Sequence, residues 1–214
     1  WPDGGTAPFR GEKNTNWEGG YRVPTAIRWP GTIKPGTVNN DIFAHEDMLP
    51  TLLAAAGVPD VKEQLLRGMK VGDKTFKVHL DGYNITDTLA GKAPNPRHEF
   101  FYFNDDGSLV ALRYDQWKLV FAEQRAHGFN VWEEPFVPLR LPRLFSLRAD
   151  PFEESPQGWD NWKWRVDHAF LLVPAQQYVG KFLATFKEFP PSQKVGSFSM
   201  DAVLESLTRG AGDR

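Results

Sequence analysis

Three cations surround a glycine-bearing loop near the start of this chain. Arg10, Lys13 and Arg22 lie within Pro8-Phe9-Arg10-Gly11-Glu12-Lys13-Asn14-Thr15-Asn16-Trp17-Glu18-Gly19-Gly20-Tyr21-Arg22-Val23-Pro24. A lysine ammonium is a compact charge with three donors, and an arginine guanidinium is a planar fork. Together they suit a tetrahedral oxyanion. The competing reading is a solvated turn whose cations pair with Glu12 and Glu18, and spacing alone favours it.

Other chemistry is thinner. The five histidines, His45, His79, His98, His127 and His168, are scattered, and no two stand at metal-ligand spacing. His45-Glu46-Asp47 offers possible ligands, but it opens a helix, where acids are favoured electrostatically, so capping is the default. Asp105-Asp106-Gly107 faintly resembles a calcium loop but has the length and flanks of a hairpin turn. There is no Gly-x-Ser-x-Gly and no glycine-rich phosphate loop. Ser197 and Ser199 have no evident base. The chain has no cysteine, which excludes disulfides, thiolate metal sites and a cysteine nucleophile within these 214 residues. Net charge is −2, so no global field favours nucleic acid or an anionic membrane, and no apolar run reaches bilayer length.

Several elements would position the loop. Tyr21 to Trp29 reads as a strand, at an edge because Pro24 cannot donate to a ladder. Glu46 to Ala56 is the best helix of the first half, with Met48, Leu49, Leu52, Leu53 and Ala56 at helical spacing and Gly57 as its stop. Asp60 to Arg67 reads as a weaker helix, Met69 to Asp81 alternates in part, and Asn84 to Ala90 is a short helix. Gly91-Lys92-Ala93-Pro94-Asn95-Pro96 is the clearest boundary. Beyond it the pattern turns to β. Strands are expected over 99–103, 108–113, 117–122 and 144–147, with Asn104-Asp105-Asp106-Gly107 as a hairpin turn and Tyr114-Asp115-Gln116 as a tight connection. A helix over 173–187 presents Phe182, Leu183 and Phe186. Ser199 would cap a last helix carrying Met200, Val203, Leu204 and Leu207. Trp159, Trp162 and Trp164 could stack sugars or fill a core, and packing is the favoured expectation.

The ordered combination of Pro8 to Lys13, Trp17 to Pro24 and Arg28-Trp29-Pro30-Gly31-Thr32-Ile33 resembles a segment of the sulfatases, members of the alkaline phosphatase superfamily. Asp47-Met48-Leu49-Pro50-Thr51-Leu52-Leu53-Ala54-Ala55-Ala56-Gly57, Leu80-Asp81-Gly82 and Leu144-Phe145-Ser146-Leu147-Arg148-Ala149-Asp150-Pro151 continue it. The likeness is strong over Thr6 to Gly57, patchy to Pro151, and fades over the Trp-rich remainder.

The resemblance implies an α/β fold. Residues 1–95 would end the large alkaline-phosphatase-like α/β domain. Residues 96–214 would form a small α+β subdomain, a four-stranded antiparallel sheet with a long helix. It implies that Lys13 contacts the sulfate of the substrate; it carries over no role for Arg10 or Arg22, and Arg22 is expected to pin the loop. Family enzymes use a formylglycine made from a Cys, or a Ser, in a Cys-x-Pro-x-Arg motif and a divalent cation, usually calcium, held by paired aspartates. None of those motifs is present, and Asp3-Gly4-Gly5 does not match the family's Asp-Asn pair. The chain is therefore expected to be the C-terminal part of a sulfatase, with no catalytic nucleophile, metal ligand or cofactor of its own. Its expected partners are a sulfate ester and the N-terminal remainder of the same protein, with no nucleic acid and no membrane span. The isolated chain is expected to be inactive, and its first part to be exposed or rearranged for want of upstream strands. A phosphonate or phosphate ester hydrolase of the same superfamily and a carbohydrate- or subunit-binding module are the alternatives.

Overall fold

The computed structural model describes residues 8–191 and 195–200. Chain order gives a one-turn helix α1 (Glu18–Tyr21), then α2 (Met48–Ala55) and α3 (Val61–Arg67), a hairpin of β1 (Met69–Val71) and β2 (Lys74–Phe76), and α4 (Thr86–Leu89). The sheet follows, with β3 (Glu99–Phe103), β4 (Leu109–Tyr114), β5 (Trp117–Glu123) and β6 (Val137–Ser146), and then α5 (Asn161–Asp167) and α6 (Leu172–Ala184). The four long strands form one antiparallel sheet in sequential order.

Turn chemistry sets this meander. Asn104 accepts from the Ser108 and Gly107 amides, through its side chain and carbonyl respectively, and Gly107 takes φ +77°. The two-residue link between β4 and β5 places Asp115 at φ 48°, the left-handed geometry a tight hairpin demands. β6 is longer than the expected 144–147, because it tolerates Pro138 and Pro142. It is an edge strand, where a missing N–H costs no ladder bond.

Alternation along the strands gives the sheet two covered faces. Phe101 and Phe103 point to α6: Phe101 stacks on Phe182 at 3.8 Å, and Phe103 meets Phe182 and Phe186. The expected helix packs as its apolar stripe requires, although it becomes a 3-10 turn after Ala184 and Leu183 is 40% exposed. The opposite face carries Tyr102, Val110, Ala111, Val120 and Phe145. Trp17 from the N-terminal loop is inserted among them, 6.2 Å edge-on to Phe145. Burying that indole contributes on the order of 3 kcal/mol.

The first half corrects two expectations and refines a third, the helix over 46–56, which is present. Tyr21 to Trp29 is not a strand: Tyr21 closes α1, and residues 22–29 have no regular structure and join no ladder among the described residues. With Pro24 and Pro30 limiting donors and no neighbouring strand, nothing completes a ladder. The helix over 46–56 begins as a 3-10 turn, His45–Asp47, with Pro50 in the first turn of α2. Its apolar stripe is largely uncovered, with Leu49 51% and Leu52 65% exposed. The loop itself is not exposed as expected, since Thr15 to Gly19 are buried against the sheet. Among the tryptophans, Trp164 packs between Trp117 and His168, whereas Trp159 and Trp162 stand out in solvent. The expected last helix lies outside the described residues.

Candidate functional site

The loop of residues 8–22 is closed by its own backbone. The Gly19 amide donates to the Arg10 carbonyl at 2.7 Å, and the Thr15 amide and hydroxyl both donate to the Glu12 carbonyl. Gly11 takes φ +80°, and a Cβ there would meet Trp17 at 2.7 Å. A Cβ on Gly19 would meet the Arg10 and Gly11 carbonyl oxygens at 2.5 Å. These two glycines are what let the strands of the loop touch.

The three cations separate into different roles. Arg10 donates to the Glu153 carbonyl at 2.9 Å and lies 3.7 Å over the Trp17 ring; burial pushes its pKa down. Arg22 donates to Glu18 at 2.7 Å and covers Phe9. Both arginines are thus structural, and Arg22 pins the loop as expected. Lys13 is exposed and makes no hydrogen bond or ion pair among the described residues. Its one marked neighbour is Trp132, with Nζ 5.6 Å from the ring centroid. The acid beside it, Glu12, is engaged elsewhere: it accepts from the Gly128 amide and lies 4.0 Å from His127.

Beneath the loop is a buried charge cluster. Glu18, at the start of α1, reaches Lys118 at 3.1 Å, and Lys118 also reaches Glu153 at 2.7 Å; all three are fully or almost fully buried. The Asn16 carbonyl accepts from Lys118 at 2.7 Å, and Tyr102 donates to Glu18 at 2.7 Å. Burial alone would raise the Glu18 pKa. Lys118, the Tyr102 hydroxyl, Arg113 and Arg22 overcome it and bring it down to about 2. Glu153 shares Lys118 but lacks the other cations, so burial keeps its pKa raised. Three chain regions, 16–22, 102–118 and 153, are thereby tied at one point. Sequence reasoning missed this cluster. The available signal was Lys118 at an inward register position, two residues before Val120 on the same face of β5.

Other candidates resolve into structure. Asp47 is buried. It accepts from the Ala44 amide and takes a forked pair from Arg97 at 2.7 and 2.6 Å, with Glu46 adding 2.8 Å. The trio at 45–47 is thus a cap and clamp, not a ligand set. The turn at 105–107 is a hairpin, and Asp106 accepts from both the amide and hydroxyl of Ser197 at 2.7 Å. Among the described residues no three His, Asp or Glu side chains gather as metal ligands, so they do not by themselves fit a divalent cation. With no Cys-x-Pro-x-Arg or Ser-x-Pro-x-Arg in the given sequence, they do not supply a formylglycine either. Among the described residues no helix is long and apolar enough to cross a membrane. A cleft of about 430 Å³ lined by Arg22, Arg97, Arg113 and Arg148 lies apart from Lys13, and three of its four arginines are committed to Glu18 or Asp47.

Comparison with known proteins gives a consistent picture. The family model described as Sulfatase matches residues 2–58, which include Lys13 and the whole loop. An arylsulfatase from Hemicentrotus pulcherrimus is 34% identical over 175 residues, covering 72% of this chain and 29% of that protein. A steryl-sulfatase from Mus musculus is 33% identical over 171 residues, covering 72% of this chain and 25% of that one. The crystal structure of PsFucS1 sulfatase from Pseudoalteromonas sp. superposes with a TM-score of 0.68 at 27% identity. It covers 92% of this chain and 36% of its own. The chain thus spans less than a third of the length of these two curated relatives.

Proposed function

We propose, from the premise that this chain belongs to the sulfatase family and forms a C-terminal part of it, that its parent protein hydrolyses sulfate esters and that Lys13 binds the sulfate. One observation carries this. Lys13 is exposed and, among the described residues, unpaired at the head of a loop whose other cations and acids are all engaged by the protein itself. An ammonium left free on a loop fixed by buried charges is placed for an anion. Hydrolysis converts the ester and water into an alcohol and inorganic sulfate, and charge rises on the sulfuryl and leaving oxygens as the S–O bond breaks. Lys13 offsets that charge. The formylglycine and the divalent cation, calcium in the usual case, would supply the nucleophile and further charge neutralisation from the remainder of the parent.

The same reading assigns residues 1–95 to the end of the large α/β domain and 96–214 to the sheet-and-helix subdomain. What supports it is the placement of the sheet immediately after Pro94-Asn95-Pro96, with Trp17 and the Glu18 cluster bonding the two parts. The N-terminal remainder would cover the residues after Arg22 and the bare side of α2. Val23, Ile27, Leu49 and Leu52 are all exposed there.

The test is aryl sulfate turnover. The isolated chain is expected to show none, and in the parent Lys13→Ala is expected to lower kcat/KM by roughly 100-fold, the scale of losing one transition-state donor. Full activity of that variant would remove Lys13 from the site. A second reading is favoured by one observation: Trp159 is 95% exposed at the mouth of a cleft of about 420 Å³ with Asp160 and Asn161. That surface suits a carbohydrate contact, and loss of glycan binding in Trp159→Ala would establish it.

A further inference from the structure

The segment between β5 and β6 is a 3-10 turn, Gly128–Trp132, and it is fastened to the Lys13 loop at two points. The Asn14 side-chain amide donates to the Val131 carbonyl at 2.6 Å, and Glu12 accepts from the Gly128 amide. The residues on either side of Lys13 therefore hold this turn. Val131 anchors it inward, being buried, while Trp132 is 52% and Phe129 75% exposed. Residues three apart on a 3-10 turn eclipse one another, so the two rings project to one side. Trp132 makes no ring contact and no hydrogen bond among the described residues; its marked neighbour is the Lys13 ammonium, 5.6 Å from its centroid.

We propose that Trp132, with Phe129 beside it, is the wall that stacks the ring of the sulfate ester whose sulfate Lys13 holds. The proposal rests on the sulfate-binding role of Lys13 and adds what recognises the other end of the substrate. A sulfate on Lys13 carries its ester oxygen and then the ring carbon within a few bonds. The ring then lies where an indole face at this distance meets it. An indole offers its π face equally to an aryl ring and to the C–H face of a pyranose, so the shared chemistry is a flat or flat-faced six-membered ring. The two hydrogen bonds, one donated by Asn14 and one accepted by Glu12, fix the distance between cation and wall. The site is thereby selective for esters whose ring sits directly on the sulfate oxygen.

The test uses the full-length parent enzyme with p-nitrophenyl sulfate, a methyl pyranoside sulfate, and inorganic sulfate as a ring-less competitive inhibitor. Trp132→Ala is expected to raise KM for ring-bearing esters about three- to tenfold, the scale of one lost aromatic stack. It should leave kcat within about twofold and the inhibition constant of inorganic sulfate unchanged. Trp132→Phe should restore most of the loss, and Phe129→Ala should give a smaller rise in the same direction. An effect confined to one ring substrate identifies the ring as aryl or pyranose. Unchanged KM for both substrates in Trp132→Ala, or a sulfate inhibition constant that rises in step with KM, overturns the proposal. Lys13→Ala separates the two ideas: if it leaves sulfate inhibition intact, the anion site is elsewhere and the functional reading fails on its own.

Discussion

Replacing Lys118 by Met removes the cation at the centre of the buried cluster and leaves Glu18 and Glu153 facing the space it filled. The two contacts are 3.1 and 2.7 Å, which at an effective dielectric near 20 correspond to gross attractions of roughly 5 and 6 kcal/mol. Much of this is offset by the cost of taking a lysine fully out of water. The net loss on deleting one partner of a buried pair is about 3–5 kcal/mol. Glu18 keeps Arg22 and Arg113, so the penalty falls on Glu153, whose pKa burial already raises. Without Lys118 that pKa rises further, and the folded state then holds a proton that the unfolded state releases. Stability of the variant therefore falls as pH rises, by up to about 1.4 kcal/mol per unit between the unfolded and folded pKa values. Urea unfolding of the chain at pH 8 and pH 5, followed by the intrinsic tryptophan fluorescence and the far-UV signal, should show a large deficit at pH 8 and a smaller one at pH 5. The double variant Lys118→Met, Glu153→Gln should recover most of it. A loss under about 1 kcal/mol, or one that does not change with pH, would refute the claim that the cluster holds the loop by charge.

Further outcomes follow from other contacts. Glu18, with its pKa lowered to about 2, adds stability that is present above its unfolded value near 4.5 and is lost as pH falls between the two. Acid unfolding of Glu18→Gln should be flatter across that window, and an unchanged acid limb would dismiss Glu18 as its source. Arg97→Lys keeps the charge beside Asp47 but loses the fork at 2.7 and 2.6 Å, and should cost roughly 3 kcal/mol in urea melts. Wild-type stability would show that charge alone suffices. Gly19→Ala places a Cβ 2.5 Å from two carbonyl oxygens and should destabilise by about 1–3 kcal/mol. Gly180→Ala, in the open on α6, should stabilise by about 0.5–1 kcal/mol. Reversed signs in thermal melts would contradict the close approach at Gly19.

The sheet was legible because its signals are local. Aromatic alternation over 99–103, Asn-Asp-Asp-Gly and the short link at Asp115 each act within a few residues, and the strands stand where those signals put them. The segment after Arg22 was misread for the opposite reason. Val23, Ala26 and Ile27 carry a strand's composition, but strand formation needs a neighbour that the described residues do not contain. The stripe on α2 shows the same gap, since its spacing is helical while nothing among the described residues covers Leu49 and Leu52. At the site, Lys13 and the pinning of the loop by Arg22 were visible as residue types. Lys118 and Glu153 were not, because a lysine inside a strand and a glutamate after a turn ordinarily read as solvated charges. Their burial depends on contacts 100 and 135 residues away from Glu18. Trp132 was equally hidden: the bonds that bring it to the loop, from Asn14 to Val131 and from the Gly128 amide to Glu12, run across 117 and 116 residues.

The division of labour among the loop's charges follows from side-chain chemistry. A guanidinium is weakly hydrated and flat, so Arg10 and Arg22 can lie on Trp17 and Phe9 while donating to Glu153 and Glu18. Arg10 ties the loop to the turn at Glu153 and Arg22 holds the loop to itself, without leaving their hydrogen-bonding edges idle. An ammonium is compact and strongly hydrated and gains less from such a seat. Lys13 is accordingly the cation that stays in water, next to Asn14 at φ 66°, where the chain turns outward. Glu12 would neutralise it across one peptide bond, were it not turned to Gly128 and His127. The hydrogen bond that seats the aromatic turn therefore also removes the competing carboxylate from Lys13. The Glu12 contact thus frees the cation and, together with the Asn14 bond, sets the distance to Trp132, and this couples the anion end of the proposed site to its ring end.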